Sequence, residues 1–404
     1  MQAKLTSYLV GGAVRDRLLK IEVKDRDYLV VGSTPAEMKA PGFKQVGADF
    51  PVFLHPTSHE EYALARTERK TGSGYHGFSV DFSPTVTLEE DLLRRDLTIN
   101  AIAEAVDGTL FDPYNGAADL IDKKLRHVSP AFREDPVRIL RTARFAARFH
   151  KLGFSIADET CTLMREMVAQ GEADHLVPER IWQEWKRALE GPDSSTFIKV
   201  LKTVGALAVV APELDALYEQ PSPTQYRNGL QHLGQLAEQA LQRACILTNR
   251  GEIRFAALLT ALGSPVLNEP LHALKPSQPS PLKQLCDRLS VPNSWHDLAR
   301  LVSNHFQRAD LVEKADPEEL LSLLESLDAF RREQRFEFFL LACQAVAGGG
   351  VDALDHPYQP AVLLKRALAQ TKPITVQPLL QQGLKGVAIQ RGLRNLRLQA
   401  LQQR

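Results

Sequence analysis

The sequence predicts an α+β fold, in which a small mixed sheet with helices at the N-terminal end is followed by an all-α remainder. Two observations support this prediction. Up to about residue 125, short apolar runs alternate with glycine turns and helix caps. From about residue 130, apolar residues recur at helical spacing. The 404 residues suffice for roughly two to four domains, and we place the boundaries at residues 130, 195 and 330.

Local signals define the elements of the first part. An apolar run at residues 8–10 ends at a Gly-Gly turn, and helical character follows over residues 13–19. Thr34 and Thr87 each precede a glutamate by three residues, which is the pattern of a helix capping box. Strands are also predicted at residues 28–31, 51–55, 61–66 and 99–106.

Composition excludes several classes of protein. The chain has no run of 18 apolar residues, so no membrane span is predicted. Its first residues lack both a long apolar core and a small-residue cleavage site, so we interpret them as the opening strand rather than a signal peptide. The four cysteines are far apart and form no CxxC pair, which leaves zinc and redox motifs unsupported and suits a reducing cytosol.

The formal net charge is zero, which by itself argues against nucleic-acid binding. The charge is unevenly distributed, however. Residues 123–151 contain nine Lys or Arg and two acidic residues, and eight Lys or Arg follow Asp355 with no acidic residue after it. Basic surfaces on a neutral protein are one interpretation, and solvated helix faces are the other. The last stretch, with Arg391, Arg394 and Arg397, either contacts a nucleic-acid backbone or forms a terminal helix that closes the body.

The first motif with chemical potential is GGAVRD at residues 11–16. Two glycines between a strand and a helix let backbone N–H groups approach a phosphate closely. The helix N-terminus adds partial positive charge, and Arg15 adds a full one. The motif therefore indicates a phosphate site with Gly12 and Arg15, and a plain tight turn is the alternative.

Asp25 and Asp27 lie two residues apart at the predicted start of a strand. This spacing points both carboxylates to one side of a sheet, where they repel each other unless a cation lies between them. Such oxygen ligands suit Mg²⁺, which also binds triphosphate oxygens, activates a terminal 3′-hydroxyl and stabilises pyrophosphate as it leaves. The alternative is an exposed loop in which Arg26 neutralises the two acids.

The second motif is RRDLTINA at residues 94–101. Its arginines, Arg95 among them, suit a triphosphate, whereas Asp96 and Asn100 either hold a ribose or cap the local fold. A surface cluster of salt bridges is the alternative.

The third motif is EDPVR at residues 134–138. Asp135 is an acceptor beside the donor Arg138, and this pair matches the amino group and ring acceptor of cytosine or adenine but not guanine or uracil. Alternatively, Asp135 caps a helix with Pro136 at its first position, and the two roles are compatible. One face of this helix, an arc of about 120°, carries four arginines: Arg138, Arg141, Arg144 and Arg148.

In this order, GGxVRD, DxD, RRDxTINA and EDxxR resemble the motifs of the bacterial class of tRNA CCA-nucleotidyltransferases. The segment LVPERI at residues 176–181 resembles the next motif of that class. The match is densest from Tyr8 to about Arg187, and the layout of the whole chain is similar to that of gammaproteobacterial CCA-adding enzymes. The resemblance implies a nucleotidyltransferase head at residues 1–130, a helical neck at 131–195, a helical body at 196–330 and a basic helical tail at 331–404.

The resemblance also implies an activity, namely template-independent addition of C, C and A to the 3′ end of tRNA from CTP and ATP with Mg²⁺. We therefore expect a cytoplasmic enzyme with tRNA, CTP and ATP as partners, and with neither a membrane nor an obligate protein partner. By resemblance, Asp25 and Asp27 bind the metal and are catalytic, and Asp135 and Arg138 act as a protein template for the base. The residues that hold the nucleoside triphosphate would be Gly12, Arg15, Arg95, Arg141 and Arg144.

Two more features of the head follow from the resemblance. Residues 67–78, which contain Gly72, Gly74 and Gly77, lie where the family has a flexible loop needed for adding A. Glu61, on the strand before that loop, is a candidate third carboxylate near the metals.

The body departs from the family pattern. Relatives of this length often carry an HD phosphohydrolase domain with a His-Asp pair before Leu-Gly, but Thr260 and Ala261 stand at those positions here. Neither side chain is a metal ligand, so we predict a degenerate HD-like region without phosphohydrolase activity. The remaining histidines are predicted to be structural or surface groups: His232, His272, His296 and His305.

Three alternative functions stay open. A bacterial poly(A) polymerase shares the head, although the form VGGAVRD is closer to the CCA enzymes and the basic extension common in the polymerases is modest here. A CC-adding or A-adding relative is the second, and the intact glycine-bearing segment before Phe78 favours full CCA addition over it. A non-catalytic RNA-binding protein is the third, but both aspartates and all the named arginines are present.

Overall fold

The computed structural model describes residues 5–46, 52–70, 78–221, 231–263, 280–348 and 357–402. The chain forms two compact units, one with residues 1–184 and 199–210 and the other with residues 185–198 and 211–404. The first unit holds the sheet and the second is built of helices, which confirms the predicted fold class. The finer division at residues 130, 195 and 330 stays a prediction.

A mixed sheet of seven strands organises the first unit. The strands of this unit are β1 Thr6–Val10, β2 Asp27–Val31, β3 Lys44–Val46, β4 Val52–Leu54, β5 Glu61–Leu64, β6 Thr67–Lys70, β7 Phe78–Asp81, β8 Ala103–Ala105, β9 Leu110–Phe111, β10 Lys124–Leu125 and β11 Ser155–Ile156. The order in the sheet is β3-β4-β5-β2-β1-β8-β9. Strands β2 and β5 are parallel, and the other neighbours are antiparallel. Two small ladders, β6 with β7 and β10 with β11, lie outside it.

Both faces of the sheet are covered. Successive residues of a strand point to opposite faces, and in β2 Leu29 joins one apolar cluster with Val10 while Val30 joins a second with Phe53. The helices of the chain up to residue 210 are α1 Gly12–Leu18, α2 Pro35–Lys39, α3 Leu88–Leu93, α4 Gly116–Ile121, α5 Val137–Phe149, α6 Asp158–Ala169, α7 Pro178–Leu189, α8 Ser194–Thr203 and α9 Leu207–Val210.

The two predicted capping boxes are confirmed. The Thr34 hydroxyl accepts a hydrogen bond from the Glu37 amide (3.3 Å), and the Glu37 carboxylate accepts one from the Thr34 amide (2.8 Å). Thr87 and Glu90 make the same reciprocal pair at 3.2 and 2.8 Å. These helix starts are predicted correctly because each box depends only on residues three apart.

Two predicted boundaries are wrong. The strand predicted at 99–106 is a short 3-10 turn at Thr98–Asn100 followed by Ala103–Ala105. The polar side chains of that turn are satisfied by buried acids, since Thr98 donates to Asp119 (2.7 Å) and Asn100 to Asp96 (2.9 Å).

The helix predicted to begin at Pro136 begins at Val137, and Pro136 is its N-cap. Asp135 itself has an extended backbone, φ −123° and ψ 104°, as the residue before a proline prefers. Its carboxylate still accepts a hydrogen bond from the Val137 amide at 3.1 Å, so the predicted capping role is partly retained.

The second unit is a set of helices around a core rich in leucine and aromatic side chains. Arg254, only 3% exposed, donates to the carbonyl oxygens of Leu189 (2.7 Å) and Thr248 (2.8 Å) and so joins helix ends within this unit. The helices are α10 Pro212–Asp215, α11 Leu233–Leu247, α12 Gly251–Leu258, α13 Thr260–Gly263, α14 Pro281–Arg288, α15 Asn293–Asp310, α16 Pro317–Ser326, α17 Glu333–Val346, α18 Gln359–Thr371, α19 Gln377–Gln381 and α20 Val387–Gln402.

The basic terminal helix is partly neutralised within its own unit. Arg394 pairs with Glu318 and with Glu325 (3.2 Å) on α16, and the Arg397 guanidinium lies 3.7 Å from the ring centroid of Phe330. These contacts support the interpretation of α20 as a terminal helix that closes the body. Among the described helices, none is long and apolar enough to cross a membrane.

Candidate active site

A glycine turn joins strand β1 to helix α1. Gly11 has φ +66°, and a Cβ on it would lie 2.8 Å from Nη1 of Arg95, so the backbone conformation and the space both require glycine. A Cβ on Gly12 would meet Nη2 of Arg15 at 3.5 Å, an ordinary contact. The turn therefore brings the first motif directly against the arginine of the second.

We expect Gly11→Ala to reduce nucleotide addition strongly, because the new methyl group displaces Arg95 as well as straining the backbone by roughly 1–3 kcal/mol. Gly32→Ala is the matched control, since Gly32 has φ +71° but a Cβ placed on it would have no atom within 4 Å. The control isolates backbone strain. Equal losses of activity and thermal stability in the two variants would argue against a role for the Gly11–Arg95 contact.

Asp27 is the first residue of β2, and its neighbours in the sheet are Val10 of β1 and Glu61 of β5. It therefore lies beside the glycine turn that follows Val10. Asp25 is not part of the strand and belongs to the connection before it. Both carboxylate side chains are solvent-exposed.

The charges around Asp27 oppose each other. Partial desolvation by the surrounding protein raises the pKa of Asp27, the cation of Arg95 lowers it, and the charge of Asp25 raises it again. The two aspartates thus repel each other, as two metal-binding carboxylates do without a cation. Glu61 is in register with Asp27, but no group of three or more His, Cys, Asp or Glu side chains in the described part of the chain is arranged to hold a metal ion.

Arg95 is fixed by a buried acid. Its Nε and Nη2 atoms lie 3.3 and 3.2 Å from one carboxylate oxygen of Asp91, and its Nη1 donates to the carbonyl of Asn100 at 3.2 Å. Burial alone would raise the pKa of Asp91, but Arg95 and Arg94 bring it below its usual value. Asp91 is therefore an ionised residue that orients the arginines of the second motif, and sequence reasoning missed it.

Asp96 is the centre of the second motif. It is 7% exposed and accepts hydrogen bonds from the Leu97 amide (2.8 Å), the Asn100 side chain (2.9 Å) and Nε of Arg141 (2.8 Å). Burial alone would raise the pKa of Asp96, but Arg141 and these hydrogen bonds lower it well below its usual range, and the Asp96 charge in turn raises the pKa of Arg141. The motif is thus a buried salt-bridge site rather than a surface cluster.

Arg15 continues this chain of contacts. Its guanidinium donates to the Asn100 side-chain oxygen and to Asp16 (2.8 Å), and Asp16 also accepts from Arg148 (2.7 Å). Arg15 is 3% exposed and lies 5.1 Å from the ring centroid of Phe145. The first motif, the second motif and helix α5 are therefore connected.

Helix α5 presents its arginines to acids on other elements. Glu184 of α7, 5% exposed, pairs with Arg144 and lies 3.9 Å from Arg141. Arg144 also packs over Phe145 at 4.3 Å. We name these connected residues the arginine–carboxylate network; its members are Arg15, Asp16, Asp96, Asn100, Arg141, Arg144, Arg148 and Glu184.

The base-reading pair predicted from the third motif is anchored on both members. Arg138 donates to the carbonyl oxygens of Ala131 (3.0 Å) and Arg94. Asp135 accepts from both terminal nitrogens of Arg180, at 3.1 and 2.7 Å. Arg180 comes from the motif LVPERI, whose role the sequence left open.

The structure thus connects Arg15, Arg95, Arg141 and Arg144 through contacts in the first unit, and Gly12 begins the helix that carries Arg15. Asp27 lies close enough to both Arg95 and Asp25 to interact with them electrostatically. For the glycine-bearing segment, β6 and β7 pair as a hairpin, and Gly72, Gly74 and Gly77 lie outside the described residues. Arg180 and Glu184 carry opposite charges four residues apart on α7. This spacing was the sequence signal that could have identified them as the partners of Asp135 and Arg144.

Comparisons with known proteins identify the family of the chain. Residues 7–126 match the family described as "Poly A polymerase head domain", and residues 153–218 match "Probable RNA and SrmB- binding site of polymerase A". The first unit thus has the head of the poly(A) polymerase class of nucleotidyltransferases.

Over its full length the chain is 51% identical to the "Multifunctional CCA protein" of Thioalkalivibrio sulfidiphilus (strain HL-EbGR7), with 99% of this chain and 98% of that protein aligned. The chain belongs to the family of multifunctional CCA proteins. A CCA-adding enzyme in complex with CTP has a similar fold, with a TM-score of 0.69 and 23% identity over 99% of this chain and 88% of the other. The Thermotoga maritima CCA-adding enzyme complexed with tRNA gives a TM-score of 0.65 and 20% identity over 98% and 87%.

Proposed function

We propose that this chain adds C, C and A to the 3′ end of tRNA, using CTP and ATP and releasing pyrophosphate. Membership of the CCA protein family over nearly the full length supports this activity. The structural observation that carries it is that an acceptor, Asp135, and a donor, Arg138, lie three residues apart at the start of α5. Each side chain is held in place by other groups. Such a pair selects cytosine and adenine without a nucleic-acid template.

Base selection follows from hydrogen-bond polarity. The carboxylate of Asp135 only accepts, and the guanidinium of Arg138 only donates. Cytosine and adenine each offer an amino donor beside a ring-nitrogen acceptor, whereas uracil and guanine offer the reverse order at that edge. With a wrong base, the carboxylate would face an acceptor and the guanidinium would face a donor. Leaving two charged groups without hydrogen bonds costs more free energy than losing one neutral hydrogen bond.

The two aspartates fit a divalent metal ion. Partial desolvation raises the pKa of Asp27, and repulsion from Asp25 adds to the rise; a cation between the two carboxylates relieves that repulsion. Carboxylate oxygens are the ligands that Mg²⁺ prefers, and it takes the rest of its shell from water and substrate phosphates. Bound at Asp25 and Asp27, Mg²⁺ would stabilise negative charge on the reacting phosphate and on the pyrophosphate.

The arginines supply the remaining electrostatic stabilisation. Arg15, Arg95, Arg141 and Arg144 are each held by a carboxylate or an amide, so their positions are set before the triphosphate arrives. In the reaction, the tRNA 3′-hydroxyl passes its proton to water, and its oxygen bonds to the α-phosphorus. The bond from that phosphorus to the β-phosphate oxygen breaks, and pyrophosphate leaves.

An extension assay tests the proposal directly. Purified tRNA lacking its CCA end is incubated with Mg²⁺ and with CTP, ATP or both, and the products are sequenced. We expect two C residues with CTP alone and one further A with both nucleotides. A long A tract on varied RNA would identify a poly(A) polymerase, partial addition would identify a CC-adding or A-adding enzyme, and no extension would favour a non-catalytic RNA-binding protein. We place the reaction in the cytoplasm, whose reducing conditions suit four free cysteines.

The second unit is proposed to support tRNA without hydrolytic chemistry. Thr260 is buried and its hydroxyl donates to the Ala256 carbonyl at 2.8 Å, while Ala261 is 4% exposed in the core. These positions serve helix packing. We expect no metal-stimulated hydrolysis of p-nitrophenyl phosphate or of cyclic nucleotides by the purified chain, and a rate that rises with Mn²⁺ or Ni²⁺ would contradict this.

A further inference from the structure

The template carboxylate has a protein partner that no part of the proposed reaction uses. Arg180 and Asp135 form a two-point pair, with Nη1–Oδ1 at 3.1 Å and Nη2–Oδ2 at 2.7 Å. Two parallel hydrogen bonds between a guanidinium and a carboxylate fix the plane of both groups, which a single contact does not. Neither side chain is fully buried, with 32% of Arg180 and 23% of Asp135 exposed.

The acceptor capacity of Asp135 is nearly used. A carboxylate has about four lone-pair sites. Arg180 occupies one on each oxygen, and the Val137 amide, at 3.1 Å, occupies a second on Oδ1. Among the described residues, the hydrogen bonds to Asp135 thus leave one site on Oδ2. Arg180 therefore determines which oxygen, and which direction, Asp135 offers to an incoming amino group.

Arg180 lies on a face of α7 that also contacts α5. Glu184 lies four residues further along α7, and residues at this spacing share a helix face. Glu184 pairs with Arg144 of α5, and Arg180 pairs with Asp135, two residues before α5. The same face of α7 therefore makes two contacts with this part of the first unit. The first point carries the base-reading carboxylate, and the second carries an arginine proposed to hold phosphate.

We propose that Arg180 is a positioning residue that determines base specificity by fixing the direction of the free Asp135 lone pair. This rests on the proposed role of Asp135 in reading the base. With the plane of the carboxylate fixed, Asp135 accepts from the amino group of cytosine or adenine and cannot turn away from the carbonyl oxygen of uracil or guanine. Without Arg180 the carboxylate rotates, so the correct base loses a well-directed hydrogen bond and the wrong base loses part of its penalty.

The test compares incorporation of all four nucleotides by Arg180→Gln and Arg180→Lys. For Arg180→Gln we expect the ratio of kcat/KM for CTP to that for UTP to fall by about 10- to 100-fold, in line with the discrimination of one two-point contact. Arg180→Lys keeps the charge but makes one contact, so we expect an intermediate ratio. Arg165→Ala, at an exposed arginine that donates to the Thr203 carbonyl, is the matched control and should keep the ratio of the unaltered chain.

A double-mutant cycle separates this proposal from the one on which it rests. If Arg180 acts through Asp135, then Asp135→Ala with Arg180→Gln has the same ratio as Asp135→Ala alone. An equal fall of kcat/KM for all four nucleotides in Arg180→Gln, or effects that add in the cycle, would show a structural role only and overturn the proposal. If Asp135→Ala keeps its base preference, the template assignment fails, and the proposal for Arg180 fails with it.

Discussion

Asp27→Asn is expected to reduce CTP and ATP incorporation by about 10³-fold or more while leaving the fold intact. The loss corresponds to about 4 kcal/mol of transition-state stabilisation, the order that a metal-bound phosphate contributes. The asparagine is isosteric but lacks the negative charge that holds the cation. The measurement is single-turnover extension of tRNA at saturating Mg²⁺, together with thermal unfolding.

Stability should move in the opposite direction to activity. Because the fold raises the pKa of Asp27, its ionised form is disfavoured in the native state, and a neutral side chain removes the repulsion from Asp25. Asp27→Asn is therefore expected to unfold at the same or a higher temperature than the unaltered chain. Asp122→Asn, at an exposed acid of the same head, is the control for both readouts. Activity of Asp27→Asn within tenfold of this control would refute the metal assignment.

Asp96→Asn is expected to destabilise the first unit by about 3–5 kcal/mol, which is the order found when one partner of a buried ion pair is removed. Arg141 would lose the carboxylate that accepts its Nε proton. The asparagine oxygen can still accept from Leu97 and Asn100, but the new amide nitrogen would then face Nε of Arg141, donor against donor. The measurement is the free energy of unfolding in denaturant, with Asp107→Asn on an exposed turn as the control.

The same substitution should alter the response to acid. The pKa of Asp96 is lower in the folded chain than in the unfolded chain. Its contribution to stability is therefore fully present above the unfolded value of about 3.9 and declines as pH falls below that value toward the folded pKa. Asp96→Asn should lose this part of the acid sensitivity. The free energy of unfolding is measured against pH for Asp96→Asn and for the unaltered chain. If the two curves run parallel below about pH 4, Asp96 is not buried and ionised in the folded chain.

Local sequence patterns predicted the helix starts at Thr34 and Thr87, because each capping box depends on residues three apart. The pairing of Asp135 with Arg180 depends on residues 45 apart, and no periodicity in either segment specifies it. The turn at Thr98–Asn100 was mistaken for a strand for a related reason. The side chains of Thr98 and Asn100 donate to the buried acids Asp119 and Asp96, whereas sequence alternation alone would place such polar side chains in solvent.

The sequence identified candidate site residues but not the side chains that surround them. Motifs identified Arg15, Arg141 and Arg144 as phosphate-binding candidates, and their chemistry remains a proposal. Nothing in the motifs indicated that each of these arginines packs against a carboxylate or a ring. The roles of the acids Asp16, Asp91 and Glu184 were missed because a lone acidic residue in a helix usually faces solvent.

The arginine–carboxylate network also limits how this protein can change over evolution. Each cation in it has an anionic neighbour, and an anion can serve two cations, as Asp16 does for Arg15 and Arg148. A single replacement leaves an unmatched charge inside the protein, which is far more costly than the same replacement at the surface. Variation at these positions should therefore arise as joint exchanges of a carboxylate and every arginine that it serves. A library that varies these partners together should yield functional sequences that a one-position-at-a-time library does not contain.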